Sequence, residues 1–559
     1  MVAATHTEIE IKLDADPEFA LPDLSALPGV ASVGPADEHR LQATYLDSED
    51  FRLIRGGTTL RRRTGGNDAG WHLKLKQPIK GSAADSRLEI HEPLGRGVRT
   101  VPASLLGLVR VQLRGAQVSP VALISTTRTV RNLLAKDGTV LAEVADDLVS
   151  AHSLGHETTA VSWREIEVEL VDGDLELLTV ARELLLANGA RPSDVQSKIG
   201  RALAGRLLTA EPAELEADGL DGVVETVDDL LIEPLPPKKG GKKKGGPALR
   251  TVRVEQPRET VVVAPVAAGD VAQDYLTEQF AQLVALDPRV RLDKDDAVHQ
   301  MRVATRRLRT ALATFRPFFA PDAVTSLREE LKWLGSDVLG PVRDAEVIRE
   351  KLLADVAALP AELVLGPVAR RIQLEMGAEY RSAHESAVAE LDGDRYLALI
   401  DELEAFVAAP PFSVRASNPA ADELRKVVRK AAGRVSQHVD VLAGETVGSP
   451  EHDFHLHEVR IKAKRARYAT EAARPVIGKP AKQVAKGMES ITETLGNHQD
   501  GVVQRQWLRD LGVRAHGAGE NGFTFGLLHG RIAAAAEHDE NLFTAAWDQT
   551  RAALAVWPG

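Results

Sequence analysis

Hydrophobic and polar residues alternate along the first part of the chain, up to about residue 208. In Glu8–Leu13, acidic or basic side chains alternate with aliphatic ones. Successive side chains of a β-strand point to opposite sides, so this alternation predicts a strand with one apolar face. Seven further segments read as strands: Gln42–Leu46, Thr58–Arg63, Trp71–Gln77, Arg87–Glu92, Ile124–Leu134, Val140–Val149 and Ser162–Val171. A helix is predicted after them, at Leu175–Asn188.

Beyond about residue 263 the period changes from strand to helix. Ala- and Leu-rich segments are separated by Pro or Gly, with no strand pattern between them. They are Val271–Leu286, Asp295–Phe315, Asp322–Val338, Val342–Ala358, Val368–Glu390, Leu397–Val407, Ala420–Leu442, Phe454–Ala472, Lys479–Leu495, Val502–Leu511, Gly526–Ala536 and Asn541–Val556. Ten to twelve helices without strands indicate an all-α bundle.

A segment of unusual composition separates these two parts. Glu211–Glu233 contains nine acidic residues and no Lys or Arg, and a stretch rich in Lys, Gly and Pro follows it. Such a composition cannot build a core and indicates a flexible tether. We therefore expect a strand-rich domain at 1–208, a linker at 209–262 and a helical domain at 263–559.

Composition excludes several classes of protein. The 559 residues include no cysteine, so disulfides, thiolate metal sites and cysteine nucleophiles are ruled out. The N-terminus lacks a signal-peptide pattern, and no apolar run is long enough to span a membrane. These features predict a cytoplasmic protein. The net charge of −12 makes a nucleic acid an unexpected partner.

The polar faces of the predicted strands carry an ordered set of charges. Acidic residues occur on the first and last strands, as in Glu8, Glu10 and Glu165–Glu169, whereas Arg and Lys dominate the middle strands. For any one strand, solvent exposure is the ordinary explanation. Because the pattern is repeated on six or seven strands, it favours a closed barrel with its charges inside. The first and last strands would then pair to close the barrel, which would bring their acidic residues together. Such an interior suits a polyphosphate bound with Mg²⁺ or Mn²⁺.

The helical part is internally duplicated. The basic segment at His299–Arg309 recurs at His457–Arg467 with an offset of 158, and Leu339–Asp344 recurs at Leu495–Asp500 with an offset of 156. We expect two similar halves, at about 263–415 and 416–559. At 100° per residue, His299, Arg302, Arg306 and Arg309 fall within about 80° of arc, and His457, Arg460, Lys464 and Arg467 repeat this stripe. Two such stripes suggest a shared cationic groove.

The strand-rich part resembles the CYTH family, the triphosphate tunnel metalloenzymes. The resemblance rests on Glu8–Lys12, Thr44–Asp47, Leu60–Arg63, Leu73–Lys76, Arg87–Glu89 and Glu165–Glu169. It implies an eight-stranded antiparallel tunnel with flanking helices and a metal-dependent hydrolase or cyclase. The implied metal site comprises Glu8, Glu10, Glu143, Asp147, Glu167 and Glu169. The implied triphosphate-binding bases are Lys12, Arg61, Arg63, Lys74, Lys76, Arg87, Arg128 and Lys198. Strand parity leaves two choices open, Asp146 or Asp147 and Arg128 or Arg131.

The helical part resembles the CHAD domain, a helical module named for its histidines. The resemblance implies two pseudo-symmetric four-helix bundles whose basic stripes face each other and bind inorganic polyphosphate. The implied site comprises the two stripes described above together with Arg343. One departure is Gln499, which stands where the first half has Arg343.

Together the two resemblances predict a Mg²⁺- or Mn²⁺-dependent hydrolase of inorganic triphosphate. Its helical domain would capture polyphosphate or localise the enzyme to polyphosphate granules. A metal-activated water is the expected nucleophile, and no general base is assigned. The alternatives are a nucleotidyl cyclase, a nucleoside or thiamine triphosphatase, and a non-catalytic polyphosphate-binding scaffold.

Overall fold

The computed structural model describes residues 4–77, 85–95, 100–155, 158–193, 195, 197–209, 266–446 and 449–557. The strands are β1 (Ala4–Ala15), β2 (Ser32–Val33), β3 (Asp37–Asp47), β4 (Thr59–Thr64), β5 (Gly70–Gln77), β6 (Asp85–Pro93), β7 (Ser119–Leu134), β8 (Val140–Ser153), β9 (Ala160–Leu170) and β10 (Arg191–Pro192). The helices among and after them are α1 (Arg52–Arg55), α2 (Ala103–Leu108), α3 (Arg110–Leu113), α4 (Leu175–Ala187), α5 (Lys198–Ala202) and α6 (Ala204–Thr209). Most of the predicted linker lies outside the described residues.

Eight of the strands form a closed antiparallel barrel. The order around it is β1-β6-β5-β4-β3-β7-β8-β9, and β1 pairs with β9 to complete the circle. The predicted meeting of acids across this closure is confirmed, because Glu10 lies opposite Glu169 in the register and Lys12 lies opposite Glu167. The short strands β2 and β10 add to β7 and β1 from outside the ring.

Alternation along the strands gives the barrel an apolar exterior and a charged interior. Outward side chains of β1, β8 and β9 pack on Leu177, Ala181 and Leu185 of α4. Those of β4, β5 and β6 pack on α2, α3 and the adjoining residue Val109. The helices therefore cover the faces that would otherwise expose aliphatic residues to water.

At one end the barrel interior becomes apolar. Inward-facing Ala43, Ile124 and Ala151 form a buried cluster with Ile199 and Leu203, which belong to α5 and the residue after it. Ser197 begins this helix, since its hydroxyl accepts a hydrogen bond from the Gly200 N–H, 3.1 Å away. Helix α5 thus closes one end and carries Lys198 toward the charged interior.

Ten α-helices make up the described part of the C-terminal region: α7 (Ala268–Arg291), α8 (Ala297–Thr314), α9 (Thr325–Lys332), α10 (Leu339–Ala357), α11 (Val368–Leu391), α12 (Asp394–Ala408), α13 (Ala420–Leu442), α14 (Pro450–Ile477), α15 (Lys479–Gly517) and α16 (Phe523–Ala555). A π-helical segment, Trp333–Val338, joins α9 to α10. The two predicted segments within α15 are one continuous helix, as are the two within α16. Helix α15 continues through Gly496 and Gly501, although glycine has a low helix propensity. The side chain of Arg460 packs next to Gly496 and that of Ile532 next to Gly501, and this packing outweighs the low propensity.

The barrel and the helical region contact each other through α3 and the residue that ends it. Val111 is 1% exposed and belongs to the main core cluster of the helical region. Arg114, in the left-handed conformation with φ 47°, forms ion pairs with Asp401 and Glu404 of α12. Apolar packing of Val111 and Leu292 and the ion pairs of Arg114, together with a longer one between Arg110 and Asp392 at 4.0 Å, therefore fasten the barrel to the helices. Among the helices that the structure describes, none combines the length and apolar character needed to cross a bilayer.

Gly65→Ala tests the turn between β4 and β5. Gly65 has φ +82°, and a Cβ atom there would lie 2.1 Å from the backbone oxygen of Arg40. We expect the free energy of unfolding to fall by roughly 2–4 kcal/mol, because left-handed strain and a clash with rigid backbone add together. Urea denaturation followed by circular dichroism measures the change.

Gly115→Ala is the matched control. Gly115 has almost the same φ, +83°, but no heavy atom lies within 4 Å of the Cβ position. The Gly115→Ala substitution should lower the free energy of unfolding only by the conformational strain, about 1 kcal/mol. Equal losses in the two variants would show that the contact with Arg40 does not constrain this turn.

Candidate functional sites

The barrel encloses a polar cavity of about 430 Å³. Twelve of the fourteen residues implied for the tunnel line it: Glu8, Glu10, Lys12, Arg61, Arg63, Lys74, Arg87, Arg128, Glu143, Glu167, Glu169 and Lys198. They come from strands β1, β4–β9 and helix α5, far apart in the sequence. Barrel closure brings them together, because each is at an inward position of its strand or at the start of the closing helix.

The two remaining residues do not line the cavity. Asp147 faces the barrel interior but is fully buried behind Arg128, which binds its carboxylate with contacts of 2.8 and 2.6 Å. Lys76 is exposed at the end of β5 and lines a groove between the barrel and the helical region. The structure also shows which member of each adjacent or nearby pair faces inward. Asp146 pairs with the outward Arg164, so Asp147 is the inward aspartate, and Arg128 rather than Arg131 lines the cavity.

One acidic group lies deep in the interior. Carboxylate oxygens of Asp147, Glu165 and Glu167 lie within 4.8 Å of one another, close enough to hold a metal ion. The ammonium of Lys198, however, contacts all three, at 2.9 Å from Asp147 and 2.8 Å from Glu167. Burial raises the pKa of Glu167, but Lys12, Lys198 and Arg128 outweigh it and hold that pKa well below its usual range. Protein cations already neutralise this group.

A second acidic group, at the closure of the barrel, is less well neutralised. Burial raises the pKa of Glu8 to about 7, although Lys74 is hydrogen-bonded to it at 2.6 Å. Burial, Glu8 and Glu10 raise the pKa of Glu169 to about 8. The cations near these two carboxylates do not offset the cost of their burial. Because Mg²⁺ and Mn²⁺ prefer oxygen ligands, Glu8, Glu10 and Glu169 supply donors of the kind that such an ion binds.

The opposite wall carries an excess of bases. Burial, Arg61 and Arg128 lower the pKa of Arg63 to about 9. Arg61 donates a hydrogen bond to the hydroxyl of Tyr45 at 3.2 Å and lies 3.9 Å from Glu89. Arginines crowded in this way stabilise a bound anion, since an anion relieves the repulsion between them. The cavity therefore offers one wall for a cation and another for phosphate oxygens.

Sequence reasoning missed several residues of this site. Glu89 lies among Lys74, Arg61 and His72, which contacts its carboxylate at 2.7 Å. Glu165 was grouped with its neighbours on β9 but not assigned to the metal site. The sequence could have indicated both residues. Glu89 lies two positions after Arg87 and Glu165 two positions before Glu167, so each faces the same side of its strand as a residue already assigned to the site. His72 lies two residues before the assigned Lys74 on β5 and shares its inward side, but its contact with Glu89 depends on the pairing of β5 with β6.

The basic stripes of the helical region lie side by side on α8 and α14. Arg302 and Arg306 approach Arg460 and Lys464, and we call these four residues the central rows. Burial and the other three residues lower the pKa of Lys464 to about 7, although Asp500 opposes them. Burial is the larger cause of this shift, and the three neighbouring guanidinium groups add to it. The central residues of the two predicted stripes therefore lie close to each other.

The repeated glycine motif supports the central rows. A Cβ atom at Gly340 would lie 3.9 Å from a terminal nitrogen of Arg302, and one at Gly496 would lie 3.4 Å from the matching atom of Arg460. The glycines thus leave room for equivalent arginines in the two halves. Arg306 also bonds the hydroxyl of Tyr468, at 2.9 Å.

The other predicted stripe residues differ in their surroundings. His299 is half-buried near Arg343 and Arg306, and burial together with these charges lowers its pKa. Arg343 pairs with Glu346 at 2.7 Å, and Arg467 pairs with Glu471 and Glu489. His457 is exposed. The side chain of Gln499 lies outside the described residues, so the asymmetry expected there stays a prediction.

Comparison with known proteins agrees with both resemblances. Residues 6–201 match the CYTH domain family and residues 274–509 match the CHAD domain family. The chain therefore belongs to the proteins that join a CYTH domain to a CHAD domain. It is 34% identical over 550 residues to the uncharacterized protein Rv2226 of Mycobacterium tuberculosis, covering 96% of this chain and 94% of that protein.

Two solved structures are each similar to about half of the chain. One is PptA from Streptomyces chartreusis, with 21% identity, a TM-score of 0.42, and coverage of 51% of this chain and 100% of that one. The other is the CHAD domain of Ricinus communis, with 24% identity, a TM-score of 0.41, and coverage of 53% and 94%.

Lys464→Met tests the crowding of cations in the central rows. Because the pKa of Lys464 is lowered from its ordinary value of 10.5 to about 7, folding carries a penalty that is complete below pH 7 and vanishes as the pH rises through 10.5. The variant should be more stable than wild type at pH 7, by about 2 kcal/mol, and the difference should shrink toward pH 10. Urea denaturation across this pH range measures it.

Lys482→Met serves as the control, because Lys482 is an exposed lysine on the neighbouring helix α15. It should leave the stability nearly unchanged at both pH values. A Lys464→Met variant that is less stable than wild type at pH 7 would contradict the crowded arrangement.

Proposed function

We propose that the tunnel hydrolyses a phosphoanhydride bond of a linear triphosphate, with inorganic triphosphate as the preferred substrate. The observation that carries the proposal is the separation of charge within one closed cavity. Glu8 and Glu169 form an acidic wall whose burial is not fully offset by cations, with Glu10 beside them paired to Lys12 at 3.1 Å, while Arg61 and Arg63 form a crowded basic wall opposite. Phosphoryl transfer needs positioning and charge neutralisation more than covalent help, and this arrangement supplies both.

The bases bind and orient the substrate. Arg61, Arg63 and Arg87 would contact phosphate oxygens along the chain, with Lys12 and Lys74 nearer the acids. A divalent cation such as Mg²⁺ or Mn²⁺, held by Glu8, Glu10 and Glu169, would neutralise phosphate charge and lower the pKa of a bound water. The apolar closure by α5 excludes bulk water from one end, which strengthens every electrostatic contact inside.

The lining favours an inorganic substrate over a nucleotide. Among the described residues that line the cavity, the aromatic rings are those of Tyr45 and His39, and Arg61 binds the Tyr45 hydroxyl. A base-stacking wall, which would favour a cyclase or a nucleoside triphosphatase, is not among them. Inorganic triphosphate has no group that needs such a wall.

For the helical domain we propose binding of inorganic polyphosphate by the central rows. Arg302, Arg306, Arg460 and Lys464 place four cations together, opposed by two carboxylates, those of Asp344, which pairs with Arg302 at 2.9 Å, and of Asp500. Crowded cations destabilise the free protein and gain most from an anion with many closely spaced charges. The domain would hold polyphosphate close to the tunnel or attach the enzyme to it.

Glu8→Ala combined with Glu10→Ala tests the tunnel. In the full-length protein with inorganic triphosphate and Mg²⁺, phosphate release should fall at least 100-fold, because the variant loses two carboxylates of the acidic wall. A colorimetric phosphate assay measures the rates, and a chelator should abolish release by the wild type.

The control is Glu176→Ala combined with Glu183→Ala, which removes two exposed carboxylates from α4 outside the barrel. It changes the net charge equally and should keep the wild-type rate. Wild-type release no faster than that of the tunnel variant would refute the hydrolase and favour the scaffold.

Arg302→Ala combined with Arg460→Ala tests polyphosphate binding. The variant should bind long-chain polyphosphate at least tenfold more weakly at about 0.1 M salt, and the dependence of log affinity on log salt should flatten by about 0.7 for each phosphate that is no longer neutralised. Fluorescence anisotropy with labelled polyphosphate provides both quantities. Affinity and salt dependence equal to those of the wild type would exclude the central rows as the site.

A further inference from the structure

The central rows have two sides, and these differ in charge. Helices α7 and α15 flank one side, toward which Arg307 and Arg467 point. Helices α9 and α13 flank the other, toward which Arg309 and Arg465 point. The repeat makes Arg309 and Arg467 equivalent, since they are 158 residues apart. Their surroundings nevertheless differ, because carboxylates surround Arg467 and other arginines surround Arg309.

On the side of α7 and α15, acids neutralise the arginines. Arg467 donates to Glu471 at 2.8 Å and to Glu489 at 2.5 Å, and Arg307 lies 3.5 Å from the other oxygen of Glu471. Tyr468 adds its ring beneath all three guanidinium groups of Arg306, Arg307 and Arg467. This side is a closed network of opposite charges.

The side of α9 and α13 carries a group of bases that acids do not neutralise. Four helices each contribute one arginine: Arg309, Arg328, Arg434 and Arg465. Within the part of the chain that the structure describes, none of them forms an ion pair or a side-chain hydrogen bond, and Nε of Arg328 is buried without a partner. The carboxylate that acts on Arg465 is Glu458, and Lys462 already binds it at 2.6 Å.

The repulsion among these arginines is also visible in their acid–base properties. Burial, Arg465 and Arg328 lower the pKa of Arg309, and burial and Arg328 lower the pKa of Arg465. Four half-buried or exposed guanidinium groups that repel one another cost stability unless an anion joins them. The repeat explains the difference between the sides, because the residue 158 positions before Glu471 is Ala313.

We propose that Arg309, Arg328, Arg434 and Arg465 form a second anion site, over which a linear polyphosphate extends from the central rows on one side only. This rests on the polyphosphate binding proposed above and adds a direction to it. A short chain fills the central rows, whereas a long chain continues over α9 and α13. The network around Glu471 and Glu489 offers the chain no unpaired positive charge on the other side.

Chain length separates the two sites experimentally. We would compare Arg328→Ala combined with Arg434→Ala against wild type, using full-length protein and two probes, tripolyphosphate and polyphosphate of about 100 units. Every protein compared, wild type included, carries Arg61→Ala and Arg63→Ala, so that the tunnel does not contribute to binding of the short probe. The affinity for the long chain should fall about tenfold. The slope of log affinity against log salt concentration should become less steep by about 1.4 in total, which is about 0.7 for each phosphate contact that is lost. Tripolyphosphate affinity should stay at the wild-type value. Isothermal titration calorimetry measures both.

Two further variants keep the outcome decisive. Arg328→Lys combined with Arg434→Lys retains the charge and should recover most of the long-chain affinity. Arg509→Ala combined with Arg551→Ala removes two exposed arginines that pair with Asp510 and Asp548 and should change neither affinity. This control matches the test variant in net charge.

The results distinguish the two proposals. If wild type binds neither probe, polyphosphate binding itself fails. If wild type binds, the Arg302→Ala, Arg460→Ala variant does not, and the Arg328→Ala, Arg434→Ala variant binds long chains like wild type, only the second site is refuted. An equal loss for both probes in the Arg328→Ala, Arg434→Ala variant would likewise overturn the one-sided extension.

Discussion

Lys198 reaches from the start of α5 into the barrel, where its ammonium contacts the carboxylates of Asp147, Glu165 and Glu167. A buried carboxylate without a partner costs several kcal/mol, so three of them on neighbouring strands would oppose closure of the barrel. Lys198, with Lys12 and Arg128, removes that cost. The helix that supplies the lysine also closes one end of the barrel with Ile199 and Leu203. Charge neutralisation and apolar closure thus depend on the same short segment.

Neutralisation is complete in the depth of the barrel but not elsewhere in it. Glu8 and Glu169 lack sufficient positive charge, and Arg63 is surrounded by other arginines. One wall of the cavity therefore lacks positive charge and the other lacks negative charge. A divalent cation would supply the first and a chain of phosphates the second. The part of the interior that stabilises the fold is therefore distinct from the part that remains available to a ligand.

The same physics applies to the bases of α8 and α14, which, among the residues that the structure describes, pair with no buried acid. Arginines on α8 and α14 are brought together by packing of the helices and by the glycines that make room for them. Since the fold itself is stabilised by aliphatic cores, it tolerates the repulsion between cations. Contacts of Val111 and Arg114 fasten this region to the barrel, so the two regions proposed to bind anions are in contact with each other.

The sequence alone was sufficient for the eight barrel strands, for the acidic closure between β1 and β9, and for the duplicated helices. These features follow from side-chain period and from repeated motifs, which are local properties of the chain. Helix ends were less accessible, as the unbroken α15 and α16 show, because packing at Gly496 and Gly501 outweighs their propensity. Only the tertiary structure decided which charges lack partners. That Lys198 neutralises Glu165, that Lys76 lies outside the cavity, and that Glu471 neutralises one side of the central rows all depend on groups brought together from distant parts of the sequence.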